Sequence, residues 1–174
     1  MCVRCVPIGL GIEHERKCAM VRHLWKVVAL AVFLLGCSSD TTTREADGTI
    51  SEEGDVSVGA VREGDCIDVP VADEIDSFTG IPCDAPHDAQ VFSLIQIAGE
   101  EFPGDVELIA QGESGCESRF EGFAGIGYQE SEFFINLVRP SELSWERGDR
   151  EIICLIVPED GSEKLTQDLT GIAQ

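Results

Sequence analysis

Four thiols, Cys66, Cys83, Cys116 and Cys154, are the residues whose chemistry is easiest to bound. Zinc ribbons and fingers place ligands in close pairs, and no two of these cysteines are near neighbours, so no metal site and no other cofactor is expected. An even count in a modest exported domain reads instead as two disulfides, for which four cysteines allow three pairings. His87 is the one histidine beyond position 23. A histidine acting as a base needs a nucleophile and an orienting group, and the sequence marks neither. The plainer reading has Pro86 fixing a turn while the imidazole bonds to Asp84, Asp88 or backbone. Gly112-Glu113-Ser114-Gly115 has a faint likeness to serine protease nucleophile loops, but Cys116 replaces the last glycine and the chain is too short for that fold. Carboxylates are so abundant that some pair must fall at glycosidase separation by chance. Neither Asp73, Glu74 and Asp76 nor Asp84 and Asp88 belongs to a twelve-residue calcium loop. No catalytic residue is expected, and the protein is read as not an enzyme.

A fifth thiol, Cys37, has a different context. Arg22, His23 and Lys26 form a basic start, Val27 to Leu35 is an unbroken apolar run, and Leu34-Leu35-Gly36 precedes the cysteine. Basic region, apolar core and small residue at the cut is the layout of a secretory signal. A cysteine after Leu-Leu-Gly resembles the lipobox of bacterial lipoproteins, in which the thiol receives a diacylglycerol before cleavage. The run is far shorter than the roughly 20 residues a bilayer span requires. Residues 20–36 are therefore expected to be a lipoprotein signal peptide and Cys37 the lipidation site. That places the mature protein on the extracytoplasmic face of the cell membrane. Residues 1–19 carry Cys2, Cys5, Cys18, Glu13 and Glu15, which suits neither a basic leader nor a paired zinc site. They are read as an upstream extension, with translation starting at Met20.

Charge excludes a class of partner. Of 12 basic and 33 acidic residues, five and two precede Cys37, which leaves a net charge of −24 on the remainder, with Lys164 its single lysine. Such a surface repels phosphate backbones, so no nucleic acid is expected as partner. It also repels anionic headgroups, leaving the lipid on Cys37 as the membrane attachment. The acids are spread along the chain, which fits a general solvating shell better than a single site for a basic partner.

The elements that must position these residues follow from pattern. Residues 37–57 are nearly all Ser, Thr, Asp, Glu and Gly, too polar to offset the entropy of ordering, so a flexible tether is expected. The folded domain is expected over 58–174, with short strands at Val56 to Val61, Cys66 to Val71 and Ile81 to Cys83. In the strand Val91 to Ile97, alternation puts Val91, Ser93, Ile95 and Ile97 on one face. A helix begins near Phe102-Pro103-Gly104-Asp105, with Val106, Ile109, Cys116, Phe120 and Phe123 on a common face, and Gly112 and Gly115 divide it in two. Strands follow at Phe133 to Val138, Ile152 to Val157 and Leu165 to Ile172, with a short turn or helix presenting Trp145 between the first two. This is α+β, a small mixed and mainly antiparallel sheet with one main helix, stapled by two disulfides.

Several phrases taken together resemble the septum formation family of exported actinobacterial domains. They are Gly64-Asp65-Cys66, the run from Pro82-Cys83-Asp84 through Pro86-His87 to Val91-Phe92, Phe102-Pro103-Gly104, Cys116 with Phe120, and Trp145 with Gly148-Asp149-Arg150 and Cys154. Gln90 stands where the family usually has an acid. The resemblance implies a link to cell division and no known reaction. The reading is a lipid-anchored, non-catalytic module that binds divisome or cell-wall components, with His87, Trp145 and Arg150 as candidate partner-binding residues. The alternative is a small enzyme or ligand-binding lipoprotein acting on wall material. The pairing expected is Cys66 with Cys83, within a strand pair, and Cys116 with Cys154, from helix to sheet.

Overall fold

The computed structural model describes residues 40–161 and 163–172; Cys37, the expected signal peptide and the extension before it lie outside the described residues. In chain order the elements are β1 Thr43–Arg44, β2 Ile50–Glu52, β3 Gly54–Ser57, β4 Cys66–Asp68, β5 Ser77–Ile81, β6 Ala89–Gln96, the helix α1 Asp105–Ala124, β7 Phe133–Val138, the short helix α2 Glu142–Glu146, and β8 Glu151–Pro158. β1 and β2 make a small ribbon, and the other strands form one six-stranded sheet in the order β3-β5-β4-β6-β8-β7. Every pairing in it is antiparallel. The α+β architecture is the one expected. No helix among the described residues is long and apolar enough to cross a membrane.

The sheet separates two apolar clusters. On one side Phe92, Ile152, Cys154 and Ile156 pack against Leu108, Cys116 and Phe120 of α1. On the other, Val91, Ile153 and Leu155 join Val56, Ile67 and Phe78. The expected alternation in β6 is overturned here, because Val91 and Ile95 lie on opposite sides. The cause is a register shift between Val91 and Ser93 against β8. One extra residue in a strand resets which face the following side chains take.

Helix α1 is continuous for 20 residues, where two short helices were expected. Its buried stripe is Leu108, Gly112, Cys116, Phe120 and Ala124, a spacing of four that keeps one face toward the sheet. Val106 and Ile109, expected on that face, are 84% and 38% exposed. The glycines serve close approach and do not break the helix. A Cβ on Gly112 would lie 2.8 Å from the Leu137 side chain, and one on Gly115 2.6 Å from that of Ile95. Gly125, at φ +76°, ends the helix with its N–H bonded to Glu121 O, as a left-handed cap does.

The tether expected over 37–57 is also corrected over its described part, 40–57. β3 pairs with β5 along its whole length, Ile50 is buried in the second cluster, and Arg44 makes a two-point ion pair with Asp65 at 2.5 and 2.7 Å. A bidentate pair with Asp65 almost fully enclosed, added to ladder hydrogen bonds, supplies what the apolar count lacked. The domain therefore begins before position 58. At the other end, Leu165 to Ile172 forms no strand. It makes one isolated bridge between Leu165 and His87, buries Leu165 and Leu169 and is held further by hydrogen bonds, among them Gly171 N to Phe123 O at 2.8 Å.

Candidate functional site

Both staples form with the expected pairing. Cys66–Cys83 ties β4 to the turn after β5, with Cα atoms 5.3 Å apart, and Cys116–Cys154 ties α1 to β8 at 5.6 Å. Each distance suits an unforced bridge. Cysteines held as disulfides offer neither nucleophile nor metal ligand. Among the described residues, no group of His, Cys, Asp and Glu is arranged to hold a metal ion.

His87 lies inside the molecule with no exposed surface, so it is not positioned to meet a partner. Its backbone exchanges two 2.9 Å hydrogen bonds with Leu165. Nδ1 lies 2.8 Å from Ala85 O, so Nδ1 carries the proton and donates. Nε2 is enclosed and has no hydrogen-bond partner among the described residues. Next to it, the Gln90 amide uses both its ends. Nε2 donates to Asp168 Oδ1 at 2.8 Å and to Gly64 O at 3.1 Å, and Oε1 accepts from Leu169 N at 2.7 Å. An acid at position 90 would offer no donor to Gly64 O, and this accounts for Gln90 physically. Burial pushes the Asp168 carboxyl up, but hydrogen bonds from Gln90 and Thr170 and the nearby His87 outweigh it, and the net direction is down. The cluster bolts the C-terminal segment onto β6.

Trp145 and Arg150 serve each other. Trp145 is 3% exposed, donates from Nε1 to Glu100 O at 2.9 Å and meets Phe102 edge-on at 5.9 Å. The Arg150 guanidinium stacks 3.7 Å above its ring and donates to Trp145 O, Asp149 O and Gly99 O. Neither is a free anchor on the surface. Asp149 accepts from Glu151 N and Ser144 Oγ, the turn-capping role its position after Gly148 suggests.

Around this cluster runs an acidic groove of about 490 Å³, lined by Asp73, Glu74, Asp76, Asp105, Glu142, Asp149 and Glu151 with Arg139 and Arg147. Ser141 knits its wall together. Its hydroxyl accepts from Ser144 N to cap α2 and donates to Glu74 at 2.9 Å. Burial raises the Glu151 carboxyl above its ordinary value and the Asp149 charge adds to the rise, against a hydrogen bond from Gln96. The groove can attract cations, but Asp149 is committed to its turn, Asp105 to Arg139 and Glu74 to Ser141. Sequence reasoning missed it because its walls come from segments some seventy positions apart, with no common motif.

A protein-family model described as septum formation matches residues 63–174, more than half of the chain. No curated protein and no solved structure matches.

Proposed function

This chain belongs to the septum formation family, and from that premise we propose that it is a lipid-anchored extracytoplasmic module that binds envelope components and performs no catalysis. Its role lies in septum formation, in cell division. The observation that carries the finer reading is the pair of disulfides, which persist in oxidising compartments and are rare in the cytosol. They agree with the lipobox at Cys37.

Order from Asp40 onward leaves little free chain for anchoring. Three residue steps separate Cys37 from Asp40, and at most about 3.8 Å per step they span no more than about 11 Å. Asp40 already bonds to Ser57 of β3. A lipid on Cys37 would therefore be joined to the β3 edge by a short link of chain. β7 lies five strand intervals away, or about 24 Å at about 4.8 Å per interval.

Cys37→Ser tests the anchor: labelled palmitate uptake and membrane retention should both be lost. A fluorescent fusion should concentrate at the septum, and uniform labelling of the envelope through division would overturn the division-specific reading. The alternative, a small enzyme or ligand-binding lipoprotein acting on wall material, loses the centre expected for it, since His87 is enclosed. What it retains is the raised Glu151 carboxyl in the acidic groove. Glu151→Gln should leave septal function intact, and a lost phenotype with unchanged folding would favour chemistry.

A further inference from the structure

The open edge of β7 and the flank of α1 enclose a second groove, of about 550 Å³. Ile135 and Leu137 come from the strand, Ile109, Glu113 and Glu117 from the helix, and Tyr128 and Arg139 add to the lining. β7 is the terminal strand of the sheet and pairs only with β8 among the described residues. In an antiparallel pair alternate residues turn their N–H and C=O to the neighbour, and those between turn outward. Leu137 N bonds to the Asn136 side chain at 2.8 Å, and Phe133 O accepts from Ser131 Oγ at 3.3 Å. Phe133, Ile135 and Leu137 are thus the outward set, and local side chains cover only its two ends. The reverse face of the edge carries Phe134, 47% exposed.

An unpaired strand edge beside a helix, with an apolar trough between them, is the geometry by which extended peptides add a strand to a sheet. Backbone groups supply the affinity there, and alternate side chains enter the trough. We propose that β7 and α1 form a docking site for an extended segment of a partner protein, bearing apolar and basic residues together on the alternate positions that face the helix. The charge follows from the groove wall. Glu113 and Glu117 are exposed and belong to none of the ion pairs formed among the described residues, whereas Arg139 in the same lining is already paired with Asp105 at 2.7 Å. A second copy of this chain is disfavoured as occupant, because each copy carries the same excess of acid and like charges repel at close approach. The proposal deepens the envelope-binding reading and rests on it for its setting. Its test needs only the folded chain, so a failure here is separable from a failure of localisation or anchoring.

The test uses the full chain in detergent and a fluorescein-labelled nonapeptide with valine and lysine in turn at its odd positions and threonine at its even ones, read by anisotropy. Two further peptides carry N-methyl groups on alternate residues, each along one of the two strand edges. Binding of the parent peptide with tenfold or greater loss for only one methylated form is expected, since only one edge faces β7. Equal binding of all three would overturn the proposal, showing attraction by charge alone. Glu113→Lys with Glu117→Lys, at exposed positions that leave the core untouched, should weaken the parent peptide at least tenfold. Unchanged affinity would refute a basic occupant. Hydrogen exchange should show the Ile135 amide protected only when peptide is present. Protection that rises with protein concentration alone would mean self-pairing and would overturn the partner assignment.

Discussion

The two edges of the sheet are treated in opposite ways. At β3 the chain covers its own edge. Thr41 N bonds Asp55 O at 2.9 Å, Asp55 N bonds Thr41 Oγ1 at 2.7 Å, and Ser57 N and Oγ both bond Asp40 Oδ1. At β7 two side chains stand in for a neighbouring strand. An uncovered edge invites unwanted pairing, and proteins usually blunt it. Here the blunted edge is the one covered by the segment from Asp40, and the lightly covered one lies across the sheet. The difference suggests that one edge is built for permanence and the other for exchange.

The largest effect should come from the staple that encloses β7. Cys116–Cys154 closes a 38-residue separation that contains all of β7, whereas β3 lies outside both disulfide loops. Replacing both cysteines by Ser should cost about 4 kcal/mol by loop-closure entropy, measured by urea unfolding. Hydrogen exchange should rise first at β7 and α1, and later at β3 and β5. Equal loosening at both edges would break the contrast, because it would mean the sheet opens as one unit.

The next perturbation acts on the covered edge alone. A Cβ on Gly54 would lie 2.8 Å from Thr41 C and Thr42 N, backbone atoms that cannot rotate aside. Gly54→Ala should therefore displace the strap and cost about 1–3 kcal/mol, the usual range for overpacking. Exchange should quicken at Asp55 and Ser57 and stay unchanged at Ile135.

Acid should loosen the same strap without a mutation. Hydrogen bonds from the Ser57 hydroxyl and N–H, set against slight desolvation, hold the Asp40 carboxyl below its ordinary value. A carboxyl lowered on folding contributes fully above the unfolded value, near about 4, and that contribution is lost as pH falls through the lower folded value. Protection of the Ser57 amide, corrected for intrinsic exchange, should fall as pH drops below about 4 in the native chain. In Asp40→Asn it should be weaker at pH 5 and nearly flat over the same fall in pH.

Much of this contrast lay beyond sequence patterns, for reasons specific to each element. β7 and β8 were legible because apolar runs of β-branched and aromatic residues bounded by turns have few other solutions. The cysteines were legible because spacing excludes zinc. The strap was not: its segment is polar, and its order depends on Arg44 reaching Asp65, twenty-one positions on. A single Arg and a single Ile50 in a polar run were the only signals. The helical stripe was misassigned because Gly112 looks like a breaker until Leu137 is seen to fill the space a side chain would need. His87, Trp145 and Arg150 stood out as rare residue types, yet rarity does not distinguish a buried linchpin from a surface anchor. The β7 groove carries no motif, since it arises only when a helix flank and a strand edge meet.

The smallest expected effect bears on how readily the β7 edge can change partners. Asn136 is exposed, and its side chain accepts from the backbone N–H of the next residue. Such a bond competes with water and is worth little, so Asn136→Ala should change stability by no more than about 0.5 kcal/mol. Exchange of the Leu137 amide should nonetheless rise measurably, with none of the change at Ser57. The strap at β3 comprises several bonds from one continuous segment, and breaking one leaves the others to re-form it. The cover at β7 consists of independent single bonds, each of which an incoming strand can replace with one of its own. If Leu137 stayed as protected in Asn136→Ala as in the native chain, another group would have to be covering the edge. The proposed difference in exchangeability would then be lost.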